Sequence, residues 1–346
     1  MLVDLKEILA PAREGKYAVG HFNTFTAVMA RSVIQAAEEL NAPVIIGIEE
    51  RQLELCPLEV FASYAIPMAE RAKVPVAVHF DRAHSFDACM KALKLGFTSI
   101  DFDCSELSFE ENVAQVSEIA RIAHAFGASV EGELGHVPDA AKLKELEKID
   151  YHTSPAQAGD YVARTGVDAL AIAVGTAQGP YTETPKVDFA RISAISEAAQ
   201  IPLVLHGGSG LSDRAFRKAI TNGISKINIF TDLNIACGQG IMQAINSGYT
   251  QMSEIIPYEL YSVRVQAAEK IRLFCWGQAR WFEGFIAIRF TYDRYTENWL
   301  VELAKILKKQ GTDYNTITEY WKRPLNKWTW ETHIVNMKRY ITNIFI

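Results

Sequence analysis

Residues 202–229 have the sequence PLVLHGGSGLSDRAFRKAITNGISKINI, in which two apolar runs flank one amphipathic stretch. The runs at 202–206 and 224–229 predict strands, and the stretch that starts near Ser212 predicts the helix between them. Two strands joined by a helix are typical of a βαβ unit, whose strands are parallel. This stretch therefore predicts a sheet built from repeated strand and helix pairs.

The same alternation extends back along the chain to residue 17. Six further apolar runs predict strands, at 17–22, 43–48, 75–79, 98–102, 128–133 and 168–173. Between them, stretches such as 26–40, 109–126 and 187–199 have apolar residues at helical spacing. Eight strands with helical connections close most naturally as a (β/α)₈ TIM barrel, so we expect an α/β protein of that architecture.

Composition excludes several classes of protein. The chain has 346 residues, of which 49% are hydrophobic and 22% charged, with a net charge of −6. This balance predicts a globular protein and argues against nucleic acid or an anionic membrane as the main partner. Five scattered cysteines predict reduced thiols, and neither a signal peptide nor a membrane-spanning run is evident, so we expect a cytoplasmic protein.

The C-terminal part of the chain differs from the rest. Residues 283–346 carry ten basic and seven acidic residues, and all six tryptophans lie at or after Trp276. We therefore predict a barrel domain at 1–282, followed by an unrelated, aromatic-rich extension at 283–346.

Polar residues and glycines cluster where the predicted strands end. Because the chemistry of a TIM barrel lies at the carboxyl ends of its strands, these residues are expected to share one rim. They include Asn23, Asp81, Asp103, Glu133 and His206. Carboxylates and an imidazole at a barrel mouth suit a divalent cation or proton transfer. The alternative is that the carboxylates pair with Arg82, Lys226 or backbone amides in a structural role.

Two neighbouring segments predict a phosphate site. In the first, Gly207, Gly208 and Ser209 follow strand seven, so backbone N–H groups can approach an anion closely. In the second, Asn228 and Thr231 follow strand eight. Loops after strands seven and eight form phosphate sites in many barrels.

Several segments together resemble one enzyme family, the class II ketose-bisphosphate aldolases, over about residues 3–280. They are GKYAVGHFN, VHFDRAHSF, TSIDFDCS, VEGELGH, TGVDALAIAVGT, GTAQGPY, LVLHGGSG and KINIFTD, in this order. The resemblance implies a zinc-dependent lyase that cleaves a ketose bisphosphate to dihydroxyacetone phosphate and an aldehyde. It also implies that Asp81 handles the proton on the C4 hydroxyl, and that the protein is a homo-oligomer.

The resemblance further implies roles for the other rim residues. Gly207, Gly208, Ser209, Asn228 and Thr231 match the phosphate-binding positions, with Gly179 opposite them. Asp103 and Glu133 match carboxylates near the metal, and Asn23 is expected in the substrate site. The family holds zinc with three histidines, of which only His206 is present here. The other two positions are Arg82, which has no lone pair for a metal, and Gln178, a poor zinc ligand.

Three hypotheses follow from these replacements. In the first, His84 joins His206 and a carboxylate, Glu133 or Asp103, to rebuild a zinc site. In the second, Arg82 supplies the positive charge without metal, and Gln178 donates a second hydrogen bond. In the third, the protein only binds or responds to a sugar phosphate.

Two other groups of acidic residues are candidates for the site. Glu49 and Glu50 end strand two and are candidates for contact with the other end of the substrate, or are solvated loop charges. The loop at 136–153 lies where the family carries a mobile loop with a proton-abstracting acid, and the candidates in it are Asp139, Glu145 and Glu147. Glu183, in the loop after Gln178, is another candidate for this acid.

Overall fold

The computed structural model describes residues 1–138, 151–177, 179 and 185–275. Within them, eight parallel strands form one closed barrel in chain order, and the eighth strand pairs with the first. The strands are β1 (Val19–Asn23), β2 (Val44–Glu49), β3 (Val76–Ala83), β4 (Ser99–Phe102), β5 (Ser129–Leu134), β6 (Ala169–Ile172), β7 (Leu203–Leu205) and β8 (Ile224–Ile229). The predicted α/β TIM barrel is confirmed.

Helices surround the barrel and join its strands. They are α1 (Leu5–Gly15), α2 (Ala27–Glu39), α3 (Leu58–Arg71), α4 (Phe86–Leu95), α5 (Phe109–Ala125), α6 (Pro155–Thr165), α7 (Phe189–Ala199), α8 (Asp213–Thr221), α9 (Thr231–Asn246) and α10 (Met252–Phe274). A 3₁₀ turn at Glu50–Gln52 follows β2. Among the described helices, none combines the length and the apolar character that crossing a membrane requires.

Local sequence explains where these helices begin. In α5, Ser108 and Glu111 form a capping box in which each side chain accepts from the backbone N–H of the other. In α8, the hydroxyl of Ser212 accepts from the N–H of Ala215, which confirms the predicted start near Ser212. The capping residues Ser108 and Ser212 follow the ends of β4 and β7 by six and seven residues.

The strands are almost entirely buried, as expected for a parallel sheet covered by helices. Among the described strands, only two residues are partly accessible and not fully buried, Arg82 in β3 and Asn228 in β8, and both lie near the carboxyl ends. The rim that the sequence predicts to be functional is therefore the rim at which strand side chains reach solvent.

Strand β3 is irregular where it meets this rim. Its pairing with β4 shifts register between Phe80 and Ala83, and Arg82 has a φ of 48°. A left-handed backbone is uncommon for a residue with a side chain. The Arg82 N–H donates to the carboxylate of Asp101 over 3.2 Å, which holds the irregular turn.

Candidate active site

The carboxylate of Asp81, near the end of β3, contacts side chains of β1 and β8 at the barrel mouth. It accepts from Nδ2 of Asn23 over 2.6 Å and from Nδ2 of Asn228 over 3.0 Å. Burial opposes ionisation, but the neighbouring imidazole of His21 and the ammonium of Lys226 hold the Asp81 pKa well below its ordinary value. Asp81 is therefore a fixed, ionised hydrogen-bond acceptor.

Asn23 and Asn228 thus both hold Asp81. The Asn228 amide oxygen accepts from Nζ of Lys226 over 2.8 Å, so both ends of this side chain are engaged inside the barrel. Asn23 and Asn228 therefore belong to the predicted site because they hydrogen-bond to Asp81, in addition to any contact that they make with substrate.

The guanidinium of Arg82 lies among the other predicted rim residues. Its Nη2 is 2.6 Å from Oδ2 of Asp103, and its Nη1 is 3.4 Å from Oε1 of Glu133. Nη1 is also 3.4 Å from Nδ1 of His206. Burial acts to lower the Arg82 pKa, but Glu133 and Asp103 raise it above its already high ordinary value, so the cation is permanent.

His206 lies between two carboxylates. Its Nε2 is 3.0 Å from Oε1 of Glu131, and its Nδ1 is 3.0 Å from Oε1 of Glu133. Burial opposes protonation, yet Glu133 and Glu131 raise the His206 pKa well above its ordinary value. A proton on both ring nitrogens leaves no lone pair for a metal.

His84 lies at the edge of this group. Its Nδ1 is 3.3 Å from Glu50, its Nε2 is 3.6 Å from Asp103, and its side chain is 61% exposed. Asp103 also accepts from the Ser105 N–H over 2.9 Å. The four residues of the first hypothesis, His84, His206, Glu133 and Asp103, therefore do surround one region.

These residues do not fit the zinc ion that the family implies. The permanently charged guanidinium of Arg82 lies among His206, Glu133 and Asp103, and it repels a second cation. Asp103 and Glu133 already pair with Arg82, and Glu133 also pairs with the protonated His206, so these side chains have other partners than a metal. Elsewhere in the described chain, His21, His79 and Asp81 lie close enough together to hold a metal. Asp81, Asp101 and His206 are equally close, but both ring nitrogens of His206 are paired with carboxylates.

A polar network lies below the rim, and of its members the sequence analysis named only Lys226, as an alternative partner for the rim carboxylates. Lys226, fully buried, has its Nζ 2.8 Å from Oε2 of Glu131. The pKa of the buried Asp101 is raised well above its ordinary value by burial first and then by Glu133 and Glu131. The signal was available: Asp101, Glu131 and Lys226 each precede a rim residue by two positions, and such residues share one face of a strand.

The predicted phosphate segments lie together at the carboxyl ends of β7 and β8. Gly207 has a φ of 67°, and a Cβ there would overlap the Ala177 carbonyl. The Ser209 hydroxyl accepts from the Asp232 N–H over 3.4 Å, in the first turn of α9. Helix α9 begins at Thr231 with no side-chain cap from Phe230, and the contact from Ser209 places its N-terminal dipole beside the glycine loop.

Glu49 ends β2, where it pairs in register with Asp81 of β3. Its Oε1 is 2.7 Å from Nε of Arg51. Burial, and then the charge of Asp81, raise the Glu49 pKa to about 7. Glu49 is thus a buried acid beside the site and is not a solvated loop charge.

Some predicted residues lie outside the described residues. They are Gln178, Asp139, Glu145, Glu147, Glu183 and the extension at 283–346 with its boundary. Gly179 is described, and has a φ of 86°.

Comparison with known proteins gives one consistent result. The model of the family described as class II fructose-bisphosphate aldolase matches residues 3–278. The chain is 38% identical over 275 residues to the uncharacterized protein YdjI of Escherichia coli K12, covering 79% of this chain and 98% of that protein. It is 37% identical over 247 residues to a probable fructose-bisphosphate aldolase of Bacillus subtilis, covering 70% and 86%. The crystal structure of the YdjI aldolase from Escherichia coli K12 matches with a TM-score of 0.72 at 35% identity, covering 79% of this chain and 97% of that one.

Proposed function

This chain belongs to the class II fructose-bisphosphate aldolase family and is an aldehyde-lyase, and we propose that it cleaves a phosphorylated ketose with Arg82 in place of zinc. The products are dihydroxyacetone phosphate and an aldehyde. The observation that carries the proposal is the Arg82 guanidinium 3.4 Å from Nδ1 of His206, the one family zinc histidine that remains.

Arg82 can perform the part of the chemistry that needs a positive charge. Aldol cleavage develops negative charge on the C2 oxygen of the ketose, and a fixed cation with N–H donors stabilises such an oxyanion. Asp103 and Glu133 hold the guanidinium in place through their ion pairs with it. A preorganised donor costs no reorganisation when the charge forms.

Asp81 takes the proton at the other end of the breaking bond. Its carboxylate accepts the C4 hydroxyl proton, and the C3–C4 bond breaks as C4–O becomes the aldehyde carbonyl. The electron pair of that bond moves to C2–C3, and the C2 oxygen becomes an enediolate oxygen that Arg82 N–H groups bind. A proton then adds to C3 and gives dihydroxyacetone phosphate, so one proton is released and one is taken up.

The glycine loop supports the choice of a phosphorylated substrate. Gly207, Gly208 and Ser209 adjoin the N-terminus of α9, and glycine loops and helix N-termini both bind anions through backbone N–H groups. A phosphate held there at one end of the ketose would leave the carbon chain directed across the mouth toward Asp81.

The test uses full-length protein from which metal has been removed by chelation, checked by elemental mass spectrometry. A panel of ketose phosphates is supplied, and release of dihydroxyacetone phosphate is followed by a coupled dehydrogenase. We expect turnover to survive chelation, and Asp81→Asn to lower it by about 10²- to 10⁴-fold, the usual contribution of a proton-transfer group.

The matched control is Asp160→Asn, a change of the same kind on the half-exposed surface of α6, which is expected to leave turnover unchanged. Turnover that is lost on chelation and returns with zinc would contradict the role of Arg82. Binding of the panel without cleavage of any member would contradict the lyase and favour a sugar-phosphate-binding role.

A further inference from the structure

We infer that His21, His79 and Asp81 form a binding site for one divalent transition-metal ion, such as zinc, inside the barrel beneath the Asp81 carboxylate. This site is separate from the position among Arg82, Glu133 and His206 that the family resemblance implies for zinc.

Three strand side chains converge to form the site. His21 is on β1, His79 and Asp81 are on β3, and their ligand atoms all lie within 4.8 Å of one another. Oδ1 of Asp81 is 3.8 Å from Nδ1 of His21 and 3.7 Å from Nε2 of His79. Ligands about 2.0 to 2.2 Å from one zinc ion lie about 3 to 4 Å apart, so only small shifts would close this set.

Buried nitrogen atoms without partners point to a missing ligand. Both ring nitrogens of His21 and Nε2 of His79 are buried and make no hydrogen bond that meets normal geometry. Both side chains are fully inaccessible, at 0% exposure. A buried polar atom without a partner is costly, and a metal ion would bind one of the unpartnered nitrogens of each ring together with the Asp81 carboxylate.

Neighbouring residues hold the imidazoles of His21 and His79 in fixed orientations, as the residues around a metal site hold its ligands. Nδ1 of His79 is 2.8 Å from the Ser99 hydroxyl, an outer contact that orients the ring and leaves Nε2 toward the other two residues. Gly47 of β2 leaves room for His21, because a Cβ at that position would overlap Nε2 of the ring. The rings meet edge to face, with centroids 4.9 Å apart.

The contacts of these histidines separate them from His206. Both ring nitrogens of His206 lie 3.0 Å from carboxylate oxygens, whereas both nitrogens of His21 and Nε2 of His79 have no such partner. An imidazole nitrogen that is not held by a carboxylate can offer its lone pair to a metal. Lys226 opposes a cation here, but Glu131 lies 2.8 Å from its Nζ and offsets that charge.

The donor set selects the class of ion. Two imidazole nitrogens and one carboxylate oxygen suit zinc and its neighbours among the transition metals, whereas magnesium and calcium prefer oxygen ligands. Zinc and cobalt are therefore the probes, and magnesium is the negative control.

Binding here has a consequence that depends on the proposed function. A metal on Oδ1 of Asp81 would neutralise the carboxylate that accepts the C4 hydroxyl proton. Zinc should therefore inhibit cleavage over the concentration range in which it binds. Binding itself is measured without turnover, so failure of the proposed function and failure of the site are distinguishable.

The experiment titrates zinc into chelator-stripped, full-length protein by calorimetry, and records the absorption of the cobalt form. We expect one ion per chain, and at least about 100-fold weaker binding in His21→Asn, because loss of even an outer contact of a metal site costs 10- to 100-fold. His84→Gln, the matched control, should bind zinc as the wild type does, and magnesium should not compete.

Crystals of the wild type soaked in zinc keep the test independent of the folding of His21→Asn. An anomalous difference peak between His21 and His79 supports the site. No bound zinc, a peak beside His206 or His84, or binding that is lost in His84→Gln and retained in His21→Asn would overturn it.

Discussion

The side chain of Arg82 combines two features that cost free energy on their own. Its backbone is left-handed, and its guanidinium is only 11% exposed. The carboxylates of Asp103 and Glu133 offset the burial of the charge. Such a combination persists only where the surroundings hold it in place, and it is found where a side chain must have one fixed direction.

Removal of the Arg82 guanidinium should lower the stability of the fold as well as the turnover. In Arg82→Met, Asp103 and Glu133 lose their cation, and we expect the free energy of unfolding in urea to fall by about 3 to 5 kcal/mol, the cost of breaking a buried pair. Arg164→Met, which breaks pairs with the exposed Glu110 and Asp160, should cost less than about 1 kcal/mol. Equal losses in the two variants would contradict a buried, structural Arg82 pair.

Glu49 makes stability depend on pH. Its pKa is about 7 in the folded protein against an ordinary value of 4.5, so the folded state holds the proton more tightly than the unfolded state. The resulting stabilisation is complete below the unfolded value and is lost as the pH rises through 7. A shift of this size corresponds to about 3 kcal/mol.

The measurement is the free energy of unfolding at pH 5 and pH 8. The wild type should lose stability relative to Glu49→Gln across this range, whereas the exposed Glu197→Gln should follow the wild type at both values. A constant difference between the wild type and Glu49→Gln would show that Glu49 does not titrate there.

At the scale of elements, the ends of β7 and β8 and the start of α9 form the proposed anion site. Gly207 has a left-handed φ, and a Cβ added there would overlap the Ala177 carbonyl, so this position accepts only glycine without rearrangement. The loop can therefore bring its backbone N–H groups close to the N-terminus of α9. A parallel barrel provides such a position because the strand, the loop and the next helix follow one another within a few residues.

The substitution Gly207→Ala tests this arrangement. We expect a lower melting temperature and at least about tenfold weaker binding of dihydroxyacetone phosphate by calorimetry, because the loop must move away from the Ala177 carbonyl. Gly238→Ala, within α9, is the control. A Cβ there meets nothing within 4 Å, and alanine is the better helix former, so stability should rise by up to about 1 kcal/mol. Unchanged binding in Gly207→Ala would contradict the anion site.

At the scale of the whole molecule, closure of the barrel gathers eight strand ends on one rim. The alternation of apolar runs and helical periods predicts this architecture, and the structure confirms it with strand bounds that differ by a few residues. The common location of the acids Asp81, Asp103 and Glu133 could be predicted as well, because the carboxyl ends of all strands in a parallel barrel lie at the same rim.

Two features of the site could not be predicted by the same reasoning, and a third had only a weak signal in the sequence. The left-handed backbone of Arg82 depends on a register shift between β3 and β4, which no local pattern encodes. The hydrogen bonds from Asn23 and Asn228 to Asp81 join different strands across the barrel, and no local pattern predicts them. The layer of Asp101, Glu131 and Lys226 lies within runs that predict strands, where charged residues are uncommon and only the two-residue spacing gives a signal.

The most direct test of the central claim is chemical rescue of Arg82→Gly in chelator-stripped protein. Glycine adopts the left-handed backbone of this position freely, so the variant removes the guanidinium without backbone strain. We predict that turnover of a phosphorylated ketose falls by about 10²- to 10³-fold, the usual cost of losing one oxyanion donor, and that millimolar guanidinium ion partly restores it. Unchanged turnover in the variant, or restoration by zinc and not by guanidinium, would contradict the claim that Arg82 supplies the positive charge.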